Sequence, residues 1–295
     1  MRSTAACLPC YLHQALAALE AAGIPREAQY AHLASLAAFA ADLPAESSPA
    51  VNSSLVLQRL SELTGVADPF AAARAASNAH ALRMLEPLRS RVRRAPDPLF
   101  AALRLAVAGN IVDMGILPNF DLAKAVDDAL TGGFTRDDYP AFTARRWHNV
   151  LVIGDNSGEI AFDLLLAEEL RRGGAEVVYA VKGAAILNDA TLEDAAQVGM
   201  PAVARVITTG AGLLGAPLSA CGEDFLAELD RAAAVVAKGQ ANYETLEGEA
   251  RAGPKTFFAL QAKCLVVAGH LRVDLGASVF VQNCQRGGPA GAGDS

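Results

Sequence analysis

The sequence predicts an α/β protein: a three-layer α/β/α fold with a mainly parallel, doubly wound sheet and an N-terminal helical subdomain. Three observations carry this. The 295 residues are 52% hydrophobic and 19% charged, enough apolar material for a large core and too little charge for a disordered chain. At roughly 150 residues per domain, that length suggests two subdomains. Residues 1–148 place apolar side chains at helical spacing. From Asn149 on, short unbroken apolar runs alternate with helical or loop segments, the signature of parallel strands buried on both faces.

In the first part, Leu8, Tyr11, Leu12, Ala15, Leu16 and Leu19 keep a three-to-four spacing, and Gly23 ends that helix. Pro25 opens a second helix, ending near Asp42 and Pro44. A polar connection over 46–54 leads into a third helix through Leu63, closed by Gly65. Asp68-Pro69 starts a long helix toward Arg94, and Pro96 and Pro98 break the chain. Further helices are predicted over 99–110, 122–130 and 139–147. The apolar runs, read as strands, cover 149–154, 175–181, 203–207, 233–237, 264–268 and 278–281. Residues 1–148 thus form the helical subdomain and 149–285 a Rossmann-like catalytic subdomain. The Gly-rich tail 286–295 is expected to be disordered.

Charge and hydropathy narrow the partners. Twenty-five Lys and Arg against 32 Asp and Glu give a net charge of −7, which argues against a nucleic-acid surface. The basic stretch Arg83 to Arg94 reads as a solvated helix face. No run of 18 apolar residues is free of charge or strong polarity; 99–117, the most apolar stretch, contains Arg104, Asn110 and Asp113. His13, Gln14 and Glu20 interrupt any signal-peptide core. Cysteines at 7, 10, 221, 264 and 284 are odd in number and scattered, as suits reduced thiols. A cytoplasmic protein with no membrane contact is expected.

In an open α/β sheet, ligands bind beyond the carboxyl ends of the strands. The polar residues after each run are therefore the candidates. Gly154-Asp155-Asn156-Ser157-Gly158-Glu159 follows the first run. Lys182-Gly183 and Asn188-Asp189-Ala190-Thr191 follow the second, Thr208-Thr209-Gly210 the third, and Lys238-Gly239-Gln240-Ala241-Asn242-Tyr243-Glu244 the fourth. Asp155, Asn156 and Asp189 offer two carboxylates and an amide oxygen, hard donors suited to Mg²⁺ or Mn²⁺. Lys182 and Lys238 offer point charges for phosphate, and a helix starting near Ser157 or Gly158 offers backbone N–H groups to an anion. Together they point to phosphoryl chemistry. Each piece has a plainer reading: Asp155 as a helix cap, Thr191 with Asp194 as a capping box, Lys-Gly as a loop. The G-x-G-x-x-G and G-x-x-x-x-G-K-[ST] spacings are absent, and Lys182 stands where a dinucleotide or methyl-donor fold carries an acid for the ribose. Asn110 and Asp113 share a helical face, either as a helix end closed by Gly115 or as substrate contacts. Cys7-x-x-Cys10 is half of a zinc site, a redox pair or a structural pair.

These motifs in this order resemble the damage-control phosphatase family, also known as domain of unknown function eighty-nine. The resemblance rests on Cys7-x-x-Cys10, Gly109-Asn-Ile-Val-Asp113-Met-Gly115, Gly154-Asp-Asn-Ser-Gly-Glu-Ile-Ala-Phe-Asp163, Val181-Lys-Gly183 with Asn188-Asp-Ala-Thr191, and Lys238-Gly-Gln-Ala-Asn-Tyr-Glu244. The C-x-x-C is similar to that of its mostly prokaryotic subfamily. The resemblance implies a metal-dependent phosphatase of small phosphorylated metabolites, such as sugar phosphates or damaged cofactor phosphates, using Mn²⁺, Mg²⁺, Co²⁺ or Ni²⁺. It maps the metal ligands onto Asp155, Asn156 and Asp189. The Arg-Thr-x-Lys motif of the eukaryotic sugar-phosphate subfamily is absent, so that subfamily's substrate preference does not carry over.

The resulting expectation is a phosphomonoester hydrolase with Asp155, Lys182 and Lys238 in catalysis. Asn110, Asp113, Ser157, Glu159, Lys182, Lys238, Gly239, Asn242 and Glu244 are expected around the substrate. Asp155 is either nucleophile or ligand. The alternatives are an S-adenosylmethionine-dependent carboxyl methyltransferase in the same crevice, or a non-catalytic phosphometabolite or metal sensor with Cys7 and Cys10 as its switch.

Overall fold

The computed structural model describes residues 1–110, 127 and 130–283; of Asn110 only the backbone is described. Five helices come first: α1 (Cys7–Ala21), α2 (Arg26–Ala41), α3 (Pro49–Thr64), α4 (Ala71–Arg94) and α5 (Pro98–Val107). Their starts follow from local chemistry. The Ser48 side chain accepts the Val51 N–H with Pro49 in the first turn, and Asp97 accepts the Phe100 N–H ahead of Pro98. Then follow β1 (Arg136–Asp137), α6 (Tyr139–Thr143), β2 (Asn149–Ile153), α7 (Glu159–Arg172), β3 (Glu176–Val181), α8 (Leu192–Val198), β4 (Arg205–Thr208), α9 (Glu223–Arg231), β5 (Ala234–Lys238), α10 (Gly239–Leu246), β6 (Thr256–Gln261), α11 (Leu265–Leu271) and β7 (Ser278–Gln282).

The seven strands form one sheet, ordered β1-β7-β6-β5-β2-β3-β4, with every pair parallel except β6 and β7. Alternate strand residues serve opposite faces. Val150, Val152, Val177, Tyr179, Val236, Phe257 and Phe280 pack with α4, α5 and α7. Leu151, Ile153, Val178, Val235, Phe258 and Val281 pack with α9, α10 and α11. Both faces are covered, so the architecture is the expected α/β/α sandwich. A third cluster, including Tyr11, Leu19, Leu36 and Leu60, joins α1, α2 and α3 to Ile186 and Leu214. That seats a three-helix cap directly on the loops at the carboxyl edge of the sheet.

Two strand assignments change. The run 264–268 is not a strand: Cys264 is an N-cap and the following residues begin α11. The strand there is β6, eight residues earlier, a segment that the sequence reading passed over. A short apolar run suits a buried helix turn as well as a strand, and periodicity alone does not separate the two. The two-residue β1 also went unread. It pairs in parallel with β7, so residues 136–137, within the 1–148 stretch, join the sheet. The basic face of α4 is used for pairing: Arg89 and Arg93 meet Glu168 on α7. The helix expected over 122–130 lies almost wholly outside the described residues, as do the tail and Cys284. Among the described residues, no helix is long and apolar enough to cross a membrane.

Candidate active site

The loops after β2 and β3 are zipped together. Asn156 and Asp189 form an isolated antiparallel bridge, the Ser157 N–H donates to Asn188 O (2.8 Å), and the Ala190 N–H donates to Asp155 O (2.8 Å). Residues over thirty apart in sequence are thereby held side by side, with Asp155, Asn156 and Asp189 at one end of a cavity of about 450 Å³. The Asn156 amide nitrogen donates to Asp155 Oδ2 (3.1 Å) and to Glu159 Oε1 (3.0 Å). With both amide protons directed at carboxylates, the Asn156 carbonyl oxygen remains as its donor atom toward a cation.

Electrostatics mark this end of the cavity. Burial pushes the Asp155 carboxyl well above the carboxylate range, and the neighbouring charges of Asp189 and Glu159 add to it. Asp189 is also pushed up by burial, against the pull of the Lys182 ammonium. Asp189 Oδ2 is buried and accepts no hydrogen bond; Lys182 Nζ stands 3.4 Å away. Lys182 offsets only part of this: two buried carboxylates side by side are both still pushed up, a costly arrangement that a further positive charge would relieve. Among the described residues, no three His, Cys, Asp or Glu side chains converge tightly enough to hold a metal. The donor set here is two carboxylates and an amide, which fits a hard divalent cation.

The two lysines read as phosphate ligands lie beneath the cavity rather than on its wall. Lys182 is 2% exposed and donates to Gly215 O (2.5 Å). Lys238 is 1% exposed and binds Asp163 Oδ1 (2.8 Å), with Glu159 Oε2 at 3.7 Å. Burial opposes the Lys238 charge, but Asp163 and Glu159 outweigh it and raise its pKa. Lys238 therefore balances carboxylates buried under the site, and Lys182 balances Asp189 from beneath it. Glu159 belongs to this layer, and Ser157, 2% exposed, serves the loop zipper. Asn242 clamps two strand ends by donating to Gly154 O (3.0 Å) and Lys238 O (2.6 Å). Gly239, at φ +79°, starts α10 hard against Asp155: a Cβ there would lie 2.6 Å from Asp155 Oδ1 and closer still to its other carboxyl atoms. Gly109 packs on Glu159 in the same way, its added Cβ meeting Glu159 Cγ at 2.7 Å. That anchors the start of the 109–115 motif at the site floor, although Asp113 and the Asn110 side chain lie outside the described residues.

Glu244 does line the cavity. It is 6% exposed, accepts from Gln240 Nε2 (2.8 Å), and burial raises its pKa to about 7. Gln240 also accepts the Lys263 N–H on Oε1 (3.1 Å). Lys263 is exposed, lines the same cavity, and its charge acts on both Asp155 and Asp189. The sequence reading missed it because 264–268 was taken for the strand. With β6 placed correctly, the rule of polar residues just past strand ends names Lys263. Gln14 of α1 and Ser53 of α3, hydrogen-bonded to one another, complete the far wall.

A second set was not legible either: buried polar residues on α4. Arg74 binds Asp194 Oδ2 (3.1 Å) and Asp68 (2.7 and 2.8 Å), while Asn78 donates to Asp194 Oδ1 (2.7 Å) and accepts the Gly158 N–H (2.7 Å). Asp194 simultaneously closes the expected capping box with Thr191. One helix thereby fixes both loops that carry Asp155 and Asp189. Helical periodicity does not flag such residues, because they are polar at buried positions.

Comparisons agree with this geometry. Residues 3–279 match the model of the damage-control phosphatase ARMT1-like domain. A damage-control phosphatase from Pyrococcus horikoshii is 34% identical over 242 residues, covering 80% of this chain and 82% of that protein. One from Archaeoglobus fulgidus is 31% identical over 228 residues, covering 75% and 78%. An uncharacterised protein of Methanocaldococcus jannaschii is 32% identical over 285 residues, covering 94% of each. The crystal structure of a DUF89 family protein from P. horikoshii superposes with a TM-score of 0.88 at 31% identity, covering 96% of this chain and all of that one. With the family model spanning nearly the whole sequence and the fold shared throughout, the chain belongs to the damage-control phosphatase family.

Proposed function

We propose that this protein is a divalent-metal-dependent phosphomonoester hydrolase that clears small phosphorylated metabolites. The observation that carries the reading is the bridged pair of loops, which sets Asp155, Asn156 and the buried Asp189 carboxylate together on the wall of one cavity. Asp155, Asn156 and Asp189 would hold the cation. Once bound, a divalent ion supplies charge to polarise the phosphoryl group and to lower the pKa of water.

The chain's own residues do the rest. Lys182 offsets the charge of Asp189 from beneath the cavity, and Lys238 offsets those of Asp163 and Glu159, so the site keeps its buried acids without unfolding the loops. Lys263, exposed at the mouth, draws the phosphate dianion in and screens it from Asp155 and Asp189. Gln14, Ser53, Gln240 and Glu244 face the leaving-group end. Near neutral pH Glu244 sits close to its raised pKa, so its carboxyl both donates and accepts toward a substrate hydroxyl.

The test is phosphate release from a panel of sugar and cofactor phosphates, using metal-stripped protein re-supplied with Mg²⁺, Mn²⁺, Co²⁺ or Ni²⁺. Release should require a metal and fall by at least about a hundredfold in Asp155→Ala, since loss of an outer-shell partner alone costs 10–100-fold. Metal binding without release from any substrate would overturn the reading and favour a sensor.

A further inference from the structure

The C-x-x-C pair has no part in the chemistry above, yet it does not stand alone. Cys7, Cys10 and Cys264 all line the wall of the phosphate cavity, the first two from α1 and the third from the segment between β6 and α11. These two segments abut. Val266 packs against the apolar cluster that contains Cys7, Tyr11 and Ala15, one helical face of α1.

The three sulfurs are differently placed. Cys7 is buried and turned back on its own helix start, where Thr4 N (3.4 Å) and Thr4 Oγ1 (3.6 Å) contact Sγ. Cys10 is exposed, with Gln14 Nε2 at 3.7 Å. Cys264 is half-buried, and its sulfur receives two N–H groups, from Gln240 Nε2 and from the Val267 backbone, each at 3.5 Å. After burial itself, Cys264 is the strongest influence pushing the Cys10 thiol up, ahead of Cys7 three residues away. Cys10 and Cys264 thus share one cavity wall although they lie far apart in sequence. Among the described residues, these side chains do not converge as a metal-holding group.

We propose that Cys10 and Cys264 form a disulfide across the cavity wall, and that this bond is a redox control on the site. The oxidant is a low-molecular-weight disulfide. The exposed Cys10 thiolate attacks one of its sulfurs and expels the other half as a thiolate. Cys264 then attacks Cys10 Sγ and expels the second half. The two cysteine thiols are oxidised, the small disulfide is reduced to two thiols, and the two cysteine protons end on them. The bond closes a loop of nearly the whole chain and ties the α1–α3 cap to the segment that carries Lys263. Oxidation thus restrains the cap and shifts Lys263, the exposed cavity lysine among the described residues. Only the effect on turnover rests on the phosphatase reading.

The experiment treats the reduced, metal-free full chain with excess oxidised glutathione, alkylates remaining thiols and maps a non-reduced digest by mass spectrometry. A Cys10–Cys264 linked peptide is expected, retained in Cys7→Ser and absent in Cys264→Ser. The thermal midpoint of the wild type should rise by about 5 °C and return with dithiothreitol, because closing a long loop restricts the unfolded chain. A Cys7–Cys10 link, a link to any other cysteine, a lasting glutathione adduct on Cys10, or no reaction would overturn the disulfide. If the link forms and phosphate release is unchanged, the control is overturned. If neither form releases phosphate, the functional reading fails and the linkage stands on the map alone.

Discussion

Replacing Gly239 by alanine tests the site with a single methyl group. The residue sits at φ +79°, and an added Cβ would overlap the carboxyl group of Asp155. The left-handed backbone costs an L-residue about 1–2 kcal/mol, and forcing a buried neighbour aside costs about 1–3 kcal/mol more. For a 295-residue chain unfolding with about 2.1 cal/mol/K per residue, the sum lowers the melting midpoint by about 3–8 °C. Gly248 separates the two terms. Its φ is +80° and nothing lies within 4 Å of an added Cβ, so Gly248→Ala should lose only the backbone part, about 2–3 °C. The larger expected consequence is local: with its carboxyl displaced, Asp155 should lose the proposed cation. The assay is thermal unfolding with and without Mn²⁺. Wild type and Gly248→Ala should gain about 4 °C at a hundredfold excess of metal over Kd, and Gly239→Ala nothing. Equal destabilisation of the two variants, both with the metal shift intact, would refute the close approach of Gly239 to a metal-holding Asp155.

Three further outcomes follow from the same geometry. Glu244 has a folded pKa raised from 4.5 to about 7, so its buried charge destabilises the fold. The cost is absent below pH 4.5, grows between the two values and is complete above about pH 7. Glu244→Gln should therefore be more stable than wild type by about 3 kcal/mol at pH 8 and equal to it at pH 4; urea titrations giving a pH-independent difference would refute the burial argument. Asp155→Asn removes one of two crowded carboxylates, so the metal-free protein should melt higher than wild type while the Mn²⁺ shift and phosphate release disappear. A metal-free midpoint lower than wild type would show that another group neutralises the pair. Lys263→Ala should raise KM for phosphorylated substrates about tenfold with kcat within about threefold, as expected for loss of uniform binding. An unchanged KM would remove Lys263 from the phosphate path.

Much of the architecture was legible because it rests on local chemistry. Continuous apolar runs at 149–154, 175–181 and 233–237 can be satisfied only between two helical layers, and they became β2, β3 and β5. The Thr191–Asp194 capping box was readable from spacing alone. The run 264–268 was misread because five apolar residues suit a strand and a buried helix turn equally, and only the pairing of β6 with β5 and β7 decides which segment enters the sheet.

The site divides along the same line. The amino-acid order alone names the chemistry present: acids, an amide and lysines just past strand ends, which a parallel sheet must gather at one edge. Folding in three dimensions sets which of them face the cavity. The loop zipper turns Asp155, Asn156 and Asp189 inward, while burial sends Lys182 and Lys238 beneath them to balance Asp189, Asp163 and Glu159. Lys263 and the buried α4 residues Arg74 and Asn78 gain their roles from Asp155, Asp194 and Gly158, each 80 or more residues away. The physical reason is that a charged side chain's depth is set by the partners that the fold brings to it, and no local pattern records those partners.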